Sequence, residues 1–115
     1  MIRSDQSKSY LSELAKLAKY NLVACGYEQI TVTGSLSSLT VPTDARYAII
    51  AVESDASGVA VRYLELADIT VPTTTSGFPR SNNDLFDLQG YQNLLNFRIT
   101  QAQSGTHIIN VAYYK

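Results

Sequence analysis

The sequence predicts an all-β fold, an antiparallel β-sandwich with a jelly-roll-like arrangement, preceded by one amphipathic helix at the amino terminus. From residue 28 onward, short segments rich in Val, Ile and Tyr alternate with Gly, Pro, Asn, Asp and Ser, which is typical of strands joined by turns. Helical periodicity is confined to the first 25 residues. We therefore predict an arm and helix over residues 1–27 and one β-domain over residues 28–115, because a chain of 115 residues supports a single core.

The amino-terminal helix is predicted over residues 9–25, after a polar arm. Its apolar positions recur at the three-to-four spacing of one helical face and are Leu11, Leu14, Ala15, Ala18, Leu22 and Cys25. Gly26 follows the last of them, where a helix C-cap takes a left-handed backbone. The stripe has no Trp or Phe anchor for a membrane surface, so we expect it to lie on the β-domain or on a neighbouring subunit.

The β-domain is predicted to be organised around a long antiparallel hairpin over residues 45–66. Residues 45–53 and 59–66 are the two strands, and the Ser-Asp-Ala-Ser-Gly segment between them is the turn. In the polar stretch over residues 67–83, three Pro and Gly residues exclude a helix and permit at most an edge strand. The remaining strands are expected over residues 29–33, 36–41, 85–88, 94–100 and 106–114.

Side-chain alternation along these strands predicts the core. The expected core residues are Ile50, Val52, Val61, Tyr63, Phe97, Ile99, Val111 and Tyr113. Arg62 and Arg98 have apolar strand neighbours, so we expect each to turn outward or to meet a carboxylate.

Two strands are apolar on both faces, which predicts a protein–protein interface. On residues 45–53, Ala48, Ile50 and Val52 share one face, while Ala45, Tyr47, Ile49 and Ala51 share the other. An antiparallel strand with one wet face should instead alternate apolar with polar residues. The closing strand also has a second apolar face, and closed symmetric assembly is the common way to bury such a surface. The candidate interface residues are Leu11, Leu14, Tyr47, Ile49, Ala51, Ile108 and Tyr114, and we expect a homotrimer.

Composition indicates no nucleic-acid or membrane partner. The net charge of −1 and a pI near 5.7 provide no global field for polyanions. No apolar run reaches the length of a membrane span, and the start of the chain lacks the apolar core of a signal peptide. Cys25 and His107 are each single, which excludes an internal disulfide and a zinc site with four nitrogen or sulfur ligands.

No catalytic constellation is predicted, and no cofactor is implied. His107 opens the last strand, where we expect an ordinary edge polar residue. Asn82, Asn83, Asp84 and Asp87 supply oxygen ligands of the kind that calcium takes, but Asn-rich stretches are far more often turns. Glu65 and Asp68 lack the defined spacing of an acid/base pair. Eight Tyr residues without a Trp suit an interface, a sugar-binding face or plain core packing.

Residues 41–114 resemble a loose family of small structural proteins of tailed bacteriophages. A Val-Pro turn with an Ala-rich strand (VPTDARYAIIAVE) is followed by VAVRYLEL, a Pro-Thr loop (VPTTTSG), LLNFRIT and a closing NVAYY. The order and spacing of these segments carry the resemblance. Family members usually have Asp-Gly before the Pro-Thr loop, where this chain has Asp68-Ile69-Thr70, so that loop is expected to be reshaped.

The resemblance implies a virion component with a β-sandwich fold and no catalytic activity. Among virion components, a capsid cement protein that stabilises the shell fits the size and near-zero charge, with a head–tail joining or tail accessory protein as the alternative. A carbohydrate-binding module is the second class of function, because a Tyr-bearing sheet face also suits sugars. Expected partners are further copies of this chain and the major capsid protein or other virion proteins, and no small-molecule ligand is predicted. The expected location is the virion, after synthesis in the cytoplasm of the host bacterium.

Overall fold

A computed structural model describes residues 22–67 and 70–115, which form two antiparallel sheets and one short helix. The predicted all-β class is therefore confirmed. The elements are β1 (Ala24–Val32), β2 (Tyr47–Ser54), β3 (Val59–Leu64), β4 (Phe78–Ser81), β5 (Leu85–Gln89), α1 (Tyr91–Asn96), β6 (Arg98–Gln101) and β7 (His107–Tyr114). The four-stranded sheet has the order β1-β7-β2-β5, and the three-stranded sheet has the order β4-β3-β6. The last strand in the chain, β7, thus lies between β1 and β2.

The start of β1 corrects the predicted end of the amino-terminal helix. Cys25 is a half-buried strand residue at a register irregularity, and Gly26 is paired with Tyr113 of β7. The backbone of Gly26 is outside the left-handed region that a helix cap would need. What requires a glycine there is close packing, since an added Cβ would lie 2.9 Å from the Cγ atom of Pro42. Leu22 and Val23 are in neither a helix nor a strand, and residues 9–21 of the predicted helix, with Leu11 and Leu14, lie outside the described residues.

The central hairpin was predicted wrongly, although both of its strands are present. β2 pairs with β5 and β7, whereas β3 pairs with β4 and β6, so the two strands belong to different sheets. Residues 55–58 cross from one sheet to the other, with Gly58 at φ 78°. The backbones diverge at this crossing. The N–H of Asp55 donates to the carbonyl oxygen of Thr106 at 3.2 Å, while the carbonyl oxygen of Ala60 accepts the N–H of Ala102 at 2.8 Å.

Three further segments differ from or refine the prediction. The strand expected over residues 36–41 is reduced to one isolated bridge between Ser37 and Ile99. The strand expected over residues 94–100 begins instead with the end of α1, so regular pairing starts at Arg98. The Pro-containing stretch does form an edge strand, β4, with Pro79 opposite Arg62 of β3.

One hydrophobic core includes residues of both sheets. All eight predicted core residues are at most 8% exposed, which confirms the predicted strand faces. Tyr63 of β3 stacks on Phe86 of β5 with ring centroids 4.6 Å apart, so the sheets touch through their inner faces. Arg62 and Arg98 lie on the sides of their strands opposite their buried neighbours, which is the first of the two predicted outcomes, and both bind carbonyl oxygens. Arg62 donates to the carbonyl oxygens of Thr74 and Gly77 and holds the Pro-Thr loop, while Arg98 donates to those of Leu95 and Phe97.

Candidate interface on the outer face of the four-stranded sheet

The outer face of the four-stranded sheet is the surface that points away from the core. Strand register defines its members, because Tyr47 lies between Tyr114 and Gln89, and Ile49 lies between Ala112 and Asp87. The outer face comprises Tyr27, Gln29 and Thr31 of β1, Ile108, Asn110, Ala112 and Tyr114 of β7, Tyr47, Ile49, Ala51 and Glu53 of β2, and Leu85, Asp87 and Gln89 of β5.

Five of the seven predicted interface residues lie together on this outer face. They are Tyr47, Ile49, Ala51, Ile108 and Tyr114. The register places Tyr47 directly opposite Tyr114, with ring centroids 6.1 Å apart. The pairing of β2 with β7 explains the grouping, since it sets the two strands with a second apolar face side by side. The other two residues, Leu11 and Leu14, lie outside the described part of the chain.

Exposure varies strongly across the outer face. Tyr27, on the β1 side, is 65% exposed, whereas Tyr47, on β2, is only 4% exposed. Ile49, Ala51 and the outward residues of β7 lie between these extremes and are half-buried. The outer face is therefore most accessible toward β1.

A chain of polar groups crosses the outer face next to its apolar part. The Oδ1 atom of Asn110 accepts hydrogen bonds from the Tyr27 hydroxyl at 2.7 Å and from Gln29 Nε2 at 2.9 Å. Its Nδ2 atom donates to Glu53 at 2.6 Å. Sequence reasoning missed this network, although Asn110 is the one amide in the apolar segment HIINVAYY and was a usable signal.

A recess lies at one end of the outer face. Its volume is about 380 Å³, and its lining includes Leu22, Arg46, Tyr47, Gln89 and Gly90. Since Tyr47 begins β2 and Gln89 ends β5, the recess opens beside the β2–β5 half of the sheet. Val23 next to it exchanges two backbone hydrogen bonds of 2.9 Å with Lys115.

The histidine is fully buried, which corrects the expectation of an edge polar residue. His107 Nε2 donates to the carbonyl oxygen of Gln103 at 2.8 Å, and Nδ1 lies 2.8 Å from Ser54 Oγ. Because Nε2 carries the proton for a carbonyl acceptor, Nδ1 is the acceptor for the Ser54 hydroxyl. That hydroxyl oxygen also accepts the Ala56 N–H at 3.0 Å. This serine–histidine contact ties the 55–58 crossing to the loop before β7.

The candidate calcium ligands are engaged in a turn. Asp84 Oδ2 accepts the backbone N–H of Ser81 at 2.7 Å, and Asn82 Oδ1 accepts that of Ser54 at 2.9 Å. Asn83 has φ 72°, which suits its place in the turn. Among the described residues, no group of three or more His, Cys, Asp and Glu side chains is placed to hold a metal ion.

Glu65 lies near Asp87, at the β5 edge of the outer face. Burial raises the pKa of the Glu65 carboxyl, and the negative charge of Asp87 raises that pKa further. Glu65 Oε2 is buried without a hydrogen-bond partner. Asp68, which the sequence analysis weighed with Glu65 as an acid/base pair and set aside, lies outside the described residues. The β5 edge therefore carries two neighbouring carboxylates.

Comparisons with known proteins give no relative. No protein-family model matches the chain, and no curated protein or solved structure matches it. Within residues 22–67 and 70–115, no helix is long and apolar enough to cross a membrane.

Proposed function

We propose that this chain is a non-enzymatic structural protein of a tailed-phage virion, which self-associates as a homotrimer and stabilises the shell as a capsid cement protein. The proposal includes the finer fold, a β-sandwich with a jelly-roll-like arrangement of its two sheets. The likeness of residues 41–114 to phage structural proteins supports the virion class. The observation that carries self-association is the outer face of the four-stranded sheet, where β2 and β7 set Ile49, Ala51, Ile108 and Ala112 side by side.

The size of the outer face limits how much of an interface it can supply. Four strands at a spacing of about 4.8 Å, with four outward positions about 6.8 Å apart, give a surface of roughly 400 Å². The apolar part is smaller, roughly 230 Å², because six of the fourteen members are polar or charged. The whole outer face is about half of what one partner contributes to a standard interface, so residues beyond the outer face must also contribute.

Light scattering at micromolar concentration tests self-association directly. We expect a mass three times that of the 12.6-kDa chain. Ala112→Arg places a charge on the apolar part of the outer face and should give monomers. Ser57→Arg, on the exposed crossing between β2 and β3, is the matched control and should leave the trimer intact. A wild-type monomer, or equal effects of the two variants, would contradict the proposal.

Copy number in purified virions tests the place on the particle. A cement protein should be present in hundreds of copies, because it repeats over the shell. About a dozen copies or fewer would instead favour the alternative of a head–tail joining or tail accessory protein. Absence from virions would remove the whole class of function.

A carbohydrate-binding module is the second candidate, favoured by one feature of the outer face. The highly exposed ring of Tyr27 stands beside the amides of Asn110 and Gln29, and an aromatic ring with neighbouring amides is a combination that suits sugars. A glycan array is the test, with Tyr27→Ala as the variant. Binding that Tyr27→Ala abolishes would displace the structural proposal.

A further inference from the structure

We propose that the free edge of β1 pairs with β1 of a second copy of this chain, in antiparallel register about a two-fold axis at Gln29. The four-stranded sheets of the two copies then form one continuous sheet. This contact goes beyond the proposed function, because it uses the backbone of β1 in the plane of the sheet. The apolar part of the outer face, on β2 and β7, stays uncovered and available for the trimer contact.

The backbone groups of β1 point alternately toward β7 and away from it. Lys115 exchanges two backbone hydrogen bonds with Val23, whereas the carbonyl oxygen of Tyr114 accepts the N–H of Arg46, on the β2 side. Because backbone groups alternate along a strand, the odd-numbered residues of β7 bond to β1 and the even-numbered residues bond to β2. The β1 residues opposite even-numbered positions therefore turn their N–H and C=O groups to the free edge. They are Tyr27, Gln29 and Thr31.

These three residues form an open edge. Their side chains are all exposed, and within residues 22–67 and 70–115 no strand lies on the side of β1 away from β7. The open stretch begins after the register irregularity between Ala24 and Gly26. It ends at Thr33, whose carbonyl oxygen accepts the N–H of Gln101 at 3.0 Å. The N–H and C=O groups between these limits are those that an added strand would bind.

β1 also lacks the features that protect the other sheet edges. It is the longest of the described strands, with nine residues, and contains no Lys, Arg or Pro. Its one charged residue, Glu28, turns inward and binds Tyr113 and Thr40. By contrast, β4 and β5 have only four and five residues, β4 contains Pro79, and β6 is bridged by Ser37. A long edge without such protection is a template for pairing with another chain.

The side chains of β1 are complementary to a second β1. With Gln29 opposite the partner's Gln29, Tyr27 lies opposite the partner's Thr31, and an aromatic residue opposite a β-branched one stabilises a sheet. All three pairs in this register are of the hydrogen-bonded kind and use only the open backbone groups.

Neighbouring registers are less favourable. An axis at Glu28 would place two carboxylates directly opposite each other, which is destabilising. An axis at Ile30 would place Tyr27 opposite the partner's Thr33, and the Thr33 carbonyl is already bonded to Gln101. The register centred on Gln29 avoids both conflicts.

The contact is small, so pairing should be weak. From Tyr27 to Thr31 the edge is about 14 Å long and one sheet thick. Its area is therefore far below the roughly 800 Å² per partner of a standard interface. We expect pairing to grow toward millimolar concentration, which leaves the trimer mass at micromolar concentration unchanged.

A disulfide trap tests the register in the full-length protein. In a Cys25→Ser background, Gln29→Cys should give cross-linked dimers under mild oxidation, because the Cα atoms of hydrogen-bonded antiparallel partners are about 5.5 Å apart. Thr31→Cys is the matched control, since it is also exposed on β1 but lies about 14 Å from the partner's Thr31. Its yield of dimer should be about tenfold lower. Equal yields, or Gln29→Cys thiols that stay free, would overturn the inference.

A mixture of two variants gives a second check on the register. Tyr27→Cys and Thr31→Cys, each in the Cys25→Ser background, should cross-link poorly alone. They should cross-link to each other when mixed, because Tyr27 lies opposite the partner's Thr31. No gain on mixing would overturn the two-fold register.

Sedimentation equilibrium separates the edge contact from the trimer contact. Ala112→Arg monomers should still grow to the mass of two chains between about 10 µM and 1 mM, because the side chain of Ala112 lies on the outer face. Adding Gln29→Pro removes an N–H that makes no bond within the sheet and should abolish this growth. Growth that persists with the proline, or none in Ala112→Arg alone, would overturn the inference. A wild-type monomer at micromolar concentration would instead contradict only the proposed function.

Discussion

Removing the hydroxyl of Tyr113 should destabilise the fold through a single contact. Tyr113 is 1% exposed and donates a hydrogen bond to Glu28 Oε2 on the neighbouring strand. The same carboxylate oxygen accepts the backbone N–H of Thr40 at 2.8 Å, so Glu28 ties β7 to the loop after β1. Tyr113→Phe keeps the ring in the core and deletes only the donor.

The expected loss follows from the chemistry of that contact. A hydrogen bond to a carboxylate contributes about 1.5–3 kcal/mol. Glu28 is half-buried and keeps its bond from Thr40, so we expect the lower part of this range, about 1.5–2 kcal/mol. For a chain of this length, that loss corresponds to a melting temperature lower by about 6–8 °C.

Urea unfolding followed by far-UV circular dichroism measures the loss at one fixed protein concentration. Tyr27→Phe is the matched control, because it removes the same atom from an exposed bond to Asn110 and should change stability by less than about 0.5 kcal/mol. Equal losses in the two variants would refute the assigned role of the Tyr113–Glu28 contact.

The same contact predicts a dependence on alkaline pH. Burial raises the pKa of Tyr113 above its ordinary value of 10.0, and the bond to Glu28 raises that pKa further. The folded state therefore holds the phenolic proton more tightly than the unfolded state. This contribution to stability is complete below pH 10 and declines as the pH rises above it, so the difference between wild type and Tyr113→Phe should shrink there. A constant difference up to pH 11 would contradict the argument.

Three further predictions concern single side chains. Glu65→Gln should stabilise the protein at pH 7, because burial and the charge of Asp87 raise the pKa of Glu65 and so disfavour its charged form. In thermal melts this gain should fade as the pH approaches 4.5, because wild-type Glu65 then takes up its proton. Ser54→Ala should lower the free energy of unfolding by about 1–3 kcal/mol in urea titrations, because it leaves the buried histidine nitrogen without a donor. Gly77→Ala should lower the free energy of unfolding by about 2–3 kcal/mol, and Gly58→Ala by about 1 kcal/mol. Both glycines have positive φ, but of the two only Gly77 has neighbouring atoms that an added Cβ would approach to 3.0 Å.

The burial pattern of the strands could be predicted from sequence because alternation is a local property. Ile50 and Val52, and likewise Val111 and Tyr113, face the core as expected, since a strand turns successive side chains to opposite sides. The apolar second faces of β2 and β7 were visible for the same reason. These faces then came together because the two strands are neighbours, which the sequence did not specify.

Strand partners could not be predicted, because alternation does not say which strand lies alongside. Residues 55–58 have the composition of a hairpin turn, and a crossing between sheets uses the same Ser, Asp and Gly residues. The short helix α1 was missed because six residues are too few to show helical periodicity. Gly26 was misread as a cap because a glycine required by close packing cannot be told from one that needs positive φ.

The central position of β7 has a consequence for the order of folding. In the four-stranded sheet, β1 has no neighbour other than β7 among the described strands, and Glu28 bonds to a residue 85 positions further along the chain. Before β7 is in place, β2 can pair with β5, and β3 with β4 and β6, but β1 has no described strand to pair with. Contacts over such sequence separations form slowly. Until β7 inserts, the edges of β1 and β2 are open to strands of other chains, so partly folded molecules should aggregate most readily before that step.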